Sequence, residues 1–154
     1  MRLPGCAEMK LQISSQIAVF ALLELAGVPE RQLAVAEIGE KYGVSSHHLA
    51  KVMQVLARAG LVRSVRGAGG GYAFCGNARR TTLLDVIRLF EDFGSADGRL
   101  EKWEGTAEGR ALHEILTEID DITGATLGSI TLATMCKLVG RRRAYAGQAS
   151  AVSH

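Results

Sequence analysis

A glycine run limits the fold of this chain more than any other segment does. The sequence VRGAGGGYAF, residues 65–74, places four glycines between two short apolar stretches. Glycines at this density disfavour a helix, and the flanking LVRSVR and GYAF segments have the composition and alternation of short strands. The pattern therefore predicts a β-hairpin with a glycine tip.

Two nucleotide-binding alternatives fail on the same residues. A Walker loop requires a lysine followed by serine or threonine after its last glycine, and no such pair follows here. A dinucleotide fingerprint requires a turn from a strand into a helix, because the helix N-terminus holds the pyrophosphate. This run leads from a strand into another strand, so a larger partner than a nucleotide is favoured.

Three helices are predicted before the hairpin. Residues 10–27 form a helix that is apolar on nearly all sides, which is typical of a buried helix. A short helix over 34–42 ends at Gly43, and Ser45 is placed to cap a helix over 46–59. The segment YGVSS is thus the turn of a helix-turn-helix. Together with the hairpin, this order predicts a winged helix, in a mainly α fold with a small β-hairpin.

The third helix has two faces, one apolar and one polar without a carboxylate. His47, Lys51, Gln54 and Arg58 recur on the polar face, which suits phosphates and base edges. Lys51 and Arg66 are predicted to meet phosphate or the minor groove, while base edges are assigned to a serine, two histidines and a glutamine of this helix. The full predicted DNA-binding set is Ser45, Ser46, His47, His48, Lys51, Gln54, Arg58, Arg63, Arg66, Gly67, Gly69, Gly70, Gly71 and Tyr72.

Charge is distributed unevenly along the chain. The net charge is only +2, yet residues 61–80 contain four arginines and no acid, whereas acids dominate 91–108. Taken alone, such a patch is also typical of a solvated surface; beside the polar helix face it indicates a local anionic partner. Apolar residues make up 47% of the 154, enough for one core. Neither a membrane span nor a signal peptide is recognisable, so we expect a cytoplasmic protein.

The second half of the chain is predicted to mediate dimerisation. TTLLDVIRLFEDF is a fourth helix with Thr82 as its cap, and a long helix follows over 106–123. Its apolar residues recur at a spacing that suits a partner helix; they are Leu112, Ile115, Leu116, Ile119 and Ile122. A short last helix capped by Thr131 follows, and the basic segment 141–154 is expected to be loose. The predicted organisation is an extension over 1–8, a winged helix over 9–92, a sensor-type loop over 93–105, dimer and closing helices over 106–140, and the tail.

These motifs together resemble one family of bacterial regulators. GLVRSVRGAGGGYAF, preceded by IGEKYGVSSHHLAKVMQVLARAG and followed by TLLDVIRLFE, is similar to the IscR, NsrR and CymR family of winged-helix regulators. The likeness extends from residue 9 to about residue 138. It implies a homodimer in which the long helix crosses its mate, bound to a palindromic operator on double-stranded DNA.

The resemblance also raises the question of an iron–sulfur cluster. Several members of that family hold a cluster with three closely spaced cysteines in the loop after the fourth helix, and this chain has no cysteine there. His113 falls where one such member has a histidine ligand, but the cysteines Cys6, Cys75 and Cys136 are scattered. Thiolates are the usual cluster ligands. We therefore predict no cofactor, and keep as an alternative a cluster with non-standard ligands from these four residues.

The sequence thus predicts a dimeric DNA-binding transcriptional regulator. We expect a repressor that responds to a small-molecule, redox or protein signal. The first alternative is an iron–sulfur sensor of redox, nitric oxide or iron status. The second is a dimeric scaffold that does not bind DNA; it would show an eroded recognition face or wing, and neither is eroded. No catalytic residues are predicted, because none of the histidines, His47, His48, His113 and His154, pairs with a plausible nucleophile.

Overall fold

The structure is a computed structural model that describes residues 11–67, 70–92 and 101–151. The predicted extension over 1–8, the wing residue Gly69 and most of the predicted sensor loop lie outside the described residues. The described elements are six α-helices, one two-stranded antiparallel sheet and a 3₁₀ turn. In chain order they are α1 Ile13–Gly27, α2 Val35–Tyr42, α3 Ser46–Arg58, β1 Val62–Val65, β2 Gly71–Phe74, α4 Leu83–Ile87, the turn Glu101–Trp103, α5 Ala107–Ser129 and α6 Leu132–Ala151.

Helix α1 is the centre of the core. It contacts α3, α4, α6 and β2, and its buried residues lie on several sides, as expected for a helix that is apolar nearly all round. The hydroxyl of its one buried polar residue, Ser15, donates a hydrogen bond to Glu91, which ties α1 to the segment after α4. Leu22, Leu25, Leu49, Met53 and Leu56 are fully buried around it. The helices that carry the polar surfaces are therefore fixed on one apolar support.

The hairpin forms as predicted, and the backbone at Leu33 also pairs with its second strand. Its register pairs Val62 with Phe74 and Val65 with Gly71. Leu33, just before α2, exchanges two backbone hydrogen bonds of 2.9 Å with Tyr72. This bridge connects the wing to the start of α2, so the hairpin does not depend on its own two strands alone.

Helix α4 begins as predicted but is shorter. The hydroxyl of Thr82 caps it by accepting a hydrogen bond of 3.1 Å from the amide of Asp85, and the Asp85 carboxylate accepts one of 2.9 Å from the amide of Thr82. The α-helix ends at Ile87, and turns follow to Phe90 instead of a continued helix. Its apolar side chains face inward, since Val86 and Ile87 are fully buried and Phe90 packs on the core.

The last two helices are both longer than predicted. Helix α5 continues past Gly124 to Ser129, and its Gly128 lies against Leu84. Helix α6, predicted as short and followed by a loose tail, continues to Ala151. The prediction of a loose segment was wrong for 141–151, because alanine, arginine and glutamine sustain a helix without an apolar stripe. Among the described helices, none has the length and apolar character needed to cross a membrane.

Candidate nucleic-acid interface

The α2–α3 pair is a tight helix-turn-helix. Gly43 adopts φ +65° after α2, the left-handed conformation in which glycine is favoured. The hydroxyl of Ser45 accepts a hydrogen bond of 3.2 Å from the amide of His48, so the predicted cap is confirmed. A Cβ on Gly39 would stand 2.7 Å from the carbonyl oxygen of Val44, so Gly39 allows the close approach of helix and turn. The sequence analysis did not single out Gly39.

Helix α3 divides into the two faces that its spacing predicts. Leu49, Val52, Met53 and Leu56 are at most 1% exposed and pack on the core. The residues with exposed side chains on the other face are Ser46, His47, Lys51, Gln54 and Arg58. The outward face is therefore accessible along more than three turns, and it carries donors that suit phosphate and base edges.

All charged residues from the end of α2 through the wing are cationic. Residues 41–84 contain seven lysines and arginines and no aspartate or glutamate. Among the described residues, neither Lys51 nor Arg58 of α3, nor Arg63 nor Arg66 of the wing, forms a salt bridge. Because these cations lack acidic neighbours along the chain, they are available to an external polyanion.

His48 occupies a different position from its neighbour His47. Its Nε2 atom lies 3.1 Å from the hydroxyl of Ser14, and its side chain is half-buried. This contact anchors the first turn of α3 to α1. Ser45 likewise uses its hydroxyl within the chain. The sequence analysis placed both residues in the DNA-binding set, and the structure gives each an internal partner.

The wing presents one arginine on its first strand and one just before its turn. Arg63 on β1 and Arg66 after it are exposed. Gly67 has φ +120°, a conformation that side chains rarely adopt, and its carbonyl accepts a hydrogen bond of 2.8 Å from the amide of Gly70. Arg79 and Arg80, beyond the hairpin, are also exposed and extend the basic surface outside the predicted set.

Two glycines of the run are required by the fold itself. A Cβ on Gly71 would stand 2.2 Å from the carbonyl oxygen of Leu33, and one on Gly70 would stand 2.7 Å from that of Val65. Tyr72 is half-buried, and its side chain packs against the core. Both glycines belong to the predicted DNA-binding set, yet the chain's own backbone already excludes a side chain at both positions.

The predicted dimer residues form an exposed apolar seam on α5. Leu112, Ile115, Leu116, Ile119 and Ile122 are 37–60% exposed in the single chain. Gly109, one turn before the seam, packs so closely on the 3₁₀ turn that a Cβ would stand 2.0 Å from the carbonyl oxygen of Trp103. The start of α5 is thus packed against the C-terminal part of the predicted sensor loop.

Three residues of the cluster hypothesis, Cys75, Cys136 and His113, lie in the described part of the chain, and they do not form a binding site there. Cys75 is exposed at the end of the wing, where its thiol donates to the carbonyl of Gly60, and Cys136 is half-buried in α6. Burial raises the pKa of the Cys136 thiol, which disfavours the thiolate that binds iron. No group of three or more potential ligands is assembled within the described residues, and Cys6 lies outside them.

His113 stands apart from both cysteines. Its Nδ1 atom is buried and has no hydrogen-bond partner among the described residues. The side chain lines a small cavity with Glu104, Arg110 and Glu114. One imidazole beside carboxylates does not supply the thiolates that a cluster normally uses, so the described residues do not fit that cofactor.

Comparisons with known proteins agree with this geometry. Residues 11–138 match the Rrf2 family, described as iron-dependent transcriptional regulators. The HTH-type transcriptional regulator BadM of Rhodopseudomonas palustris is 46% identical over 135 residues, which cover 88% of this chain and 86% of BadM.

Two solved structures share the fold. CymR, the global cysteine regulator of B. subtilis, superposes with a TM-score of 0.72 at 26% identity, covering 85% of this chain and 98% of CymR. IscR of T. potens superposes with a TM-score of 0.69 at 30% identity, covering 88% of this chain and 91% of IscR. The predictions of a winged-helix fold and of a DNA-binding regulator that is not an enzyme are confirmed. The chain belongs to the Rrf2 family of transcriptional regulators.

Proposed function

We propose that the chain acts as a homodimeric repressor that reads a palindromic operator with α3 and the β1–β2 wing. The observation that carries this proposal is the exposed face of α3, which has cations and hydrogen-bond donors but no carboxylate. The wing adds further cations within the same acid-free part of the chain. DNA recognition needs both features, since phosphate contacts position a protein and base contacts give it specificity.

Individual contacts follow from chemistry and exposure. Lys51 and Arg66 would neutralise phosphates or enter the minor groove, as point charges do without sequence preference. Gln54 can bind adenine with two hydrogen bonds, and Ser46 and His47 would meet neighbouring base edges. His48 was assigned to base edges as well; its contact with Ser14 supports a positioning role instead.

Dimerisation follows from the seam on α5. Apolar side chains exposed in a row over about three turns expose too much apolar surface for a stable monomer, and burial against a second copy removes it from water. A two-fold dimer would present two α3 helices to DNA, with half-sites centred about 34 Å apart, one helical turn. A dimer bound across a promoter would hinder RNA polymerase, which supports repression. Because its target is bacterial DNA, the protein would act in the cytoplasm.

A selection experiment tests the proposal. Full-length protein is incubated with a library of random duplexes, and bound DNA is recovered and sequenced over several rounds. We expect enrichment of an inverted repeat with half-sites one turn apart, and a dimer-to-duplex stoichiometry of one in a sedimentation measurement. Enrichment of a non-repeated sequence, or no enrichment above the starting library, would contradict it.

The iron–sulfur alternative has two observations in its favour: the family is described as iron-dependent, and the Nδ1 of His113 has no hydrogen-bond partner among the described residues. It is tested by purifying the protein without oxygen and measuring its visible spectrum, iron and sulfide. We expect a colourless dimer that binds its selected site without iron. A brown protein with stoichiometric iron and sulfide, bleached by His113→Ala or by a cysteine substitution, would establish the cluster sensor instead.

A further inference from the structure

A cleft of about 570 Å³ opens between α1, α2 and α6, on the body of the winged helix rather than on its DNA-binding face. Most of its wall is apolar. The apolar side chains that line it are Phe20, Leu23, Val28, Leu33, Met135 and Val139. A concave apolar surface with a few polar groups at one end is the usual form of a small-molecule site.

One carboxylate lies in the cleft, and it is already neutralised. Glu24 accepts hydrogen bonds from Lys41 and, at 2.6 Å, from the hydroxyl of Tyr42, and the guanidinium of Arg143 lies 3.5 Å from the same oxygen. Burial opposes ionisation of Glu24, yet these donors and cations outweigh it and lower the pKa of the carboxyl group. Glu24 is therefore an internal anion that holds three elements together.

The cations around the cleft outnumber the acids. Within the part of the chain that the structure describes, Arg31, Lys41 and Arg143 form salt bridges with Glu24 and Glu37 alone, the latter 3.4 Å from Arg31. One positive charge is thus left over. The side chains of Arg31 and Arg143 line the cleft and are 65% and 66% exposed, so each guanidinium group keeps donors accessible to a ligand beside its salt bridge.

We propose that this cleft binds a small organic acid, with its apolar body between α1 and α6 and its carboxylate on Arg31 and Arg143. A guanidinium pairs well with a carboxylate because two parallel hydrogen bonds form. The apolar walls would bury the rest of the ligand. The identification of this ligand as the signal rests on the regulatory function proposed above.

Two connections link the cleft to the DNA-binding surface. Lys41 and Tyr42 belong to the last turn of α2, immediately before the turn into α3. Leu33, in the wall, is hydrogen-bonded through its backbone to Tyr72 of the wing. A ligand that draws Arg143 away from Glu24 would loosen the tie of α6 to α1 and leave Glu24 to Lys41 and Tyr42 of α2, which would change the setting of α3 and the wing.

A pair of fluorescent dyes tests the binding site. Anilinonaphthalenesulfonate has an apolar body with one anionic group, and N-phenylnaphthylamine is the same body without the charge. Titrated into the full-length protein, the anionic dye should saturate at one per chain and bind more tightly than the neutral dye. In the double variant Arg31→Gln, Arg143→Gln, the anionic dye should bind about tenfold more weakly, since charged hydrogen bonds are lost. The neutral dye should be unaffected.

Two glycines of α6 provide a matched pair that locates the site. Gly140 lines the cleft and Gly147 does not, and a Cβ at either position meets no atom within 4 Å. Gly140→Leu should abolish binding of the anionic dye by filling the cleft, while Gly147→Leu should leave it unchanged. Both should fold, because leucine favours a helix more than glycine does. Equal binding by both variants, or no preference for the anionic dye, would overturn the proposal.

Operator binding separates this inference from the proposed function. The anionic dye should weaken binding of the wild type to its selected duplex and have no effect on Gly140→Leu. Dye binding without any change in operator affinity would overturn the cleft as the signal site while leaving the repressor intact. If the wild type bound no selected duplex, the proposed function would fail whatever the dyes showed.

Discussion

Hydrogen bonds within the chain distinguish the polar side chains that hold the start of α3 in place from those proposed to contact DNA. Ser45 and His48 make hydrogen bonds inside the chain, whereas Lys51 and Gln54 are exposed on the outward face. Buried or half-buried polar groups need partners, so a residue with an internal partner is less available to DNA. Sequence spacing alone could not make this distinction for His48, because its partner Ser14 is 34 positions away.

Gly71→Ala should destabilise the fold, although an alanine is a small change. The new methyl group would stand 2.2 Å from the carbonyl oxygen of Leu33, and both groups are backbone-anchored. Overpacking of this kind typically costs about 1–3 kcal/mol. Gly105→Ala is the control, since a Cβ there meets nothing within 4 Å. Thermal unfolding should show a lower midpoint for the first variant only; equal midpoints would mean that the wing is not held against Leu33.

Tyr42 should titrate later than an ordinary tyrosine. Burial, and then the hydrogen bond to Glu24 and its charge, raise the pKa of Tyr42 from 10.0 to about 12. A folded pKa above the unfolded value stabilises the fold at neutral pH, and this contribution is lost as the pH rises from 10 toward 12. The tyrosinate absorbance of the wild type should therefore show a phenol titrating near pH 12.

Two phenylalanine variants check that assignment. Tyr42→Phe should remove the late step, and Tyr145→Phe, which alters a phenol that is 72% exposed, should retain it. Retention of the late step in Tyr42→Phe would show that Glu24 and Tyr42 are not coupled.

The sequence predicted the helices and strands whose limits depend on a periodic apolar pattern and on capping residues. It did not predict the features that depend on contacts between residues far apart in the chain. The α2–turn–α3 unit, the hairpin and the caps at Thr82 and Thr131 follow from local chemistry. The C-terminal part of α6 has no apolar stripe, and its tie to α1 through Arg143 and Glu24 spans most of the chain. The cleft was missed for the same reason, because its walls come from three separate segments.

The α5 seam should control assembly. Ile119→Glu places a carboxylate in the proposed dimer interface, where an unpaired charge is costly to bury. Thr117→Glu adds the same charge to an exposed position two residues away, on another side of α5. Analytical ultracentrifugation at micromolar concentration should show a dimer for the wild type and for Thr117→Glu, and dissociation for Ile119→Glu. A monomeric wild type would refute the proposed dimer.

The chain combines the proposed DNA-reading surface, the proposed dimer seam and an amphipathic cleft on one core. Helix α1 connects them, since it contacts α3 beneath the reading surface and forms one wall of the cleft. The family establishes that the protein is a transcriptional regulator. We propose that the outward face of α3 reads DNA, with base contacts and phosphate contacts made by different residues.

Operator affinity measured against salt concentration tests this claim most directly. Fluorescence anisotropy is recorded on the selected duplex and on a scrambled one, for the wild type, Gln54→Ala, Lys51→Ala and the control Gln148→Ala on α6. Gln54→Ala should lose about 1–3 kcal/mol on the selected duplex only. Lys51→Ala should weaken both duplexes alike and flatten the salt slope by about 0.9 per lost contact. Unchanged affinity in both α3 variants, or equal losses in Gln148→Ala, would show that DNA is read by another surface.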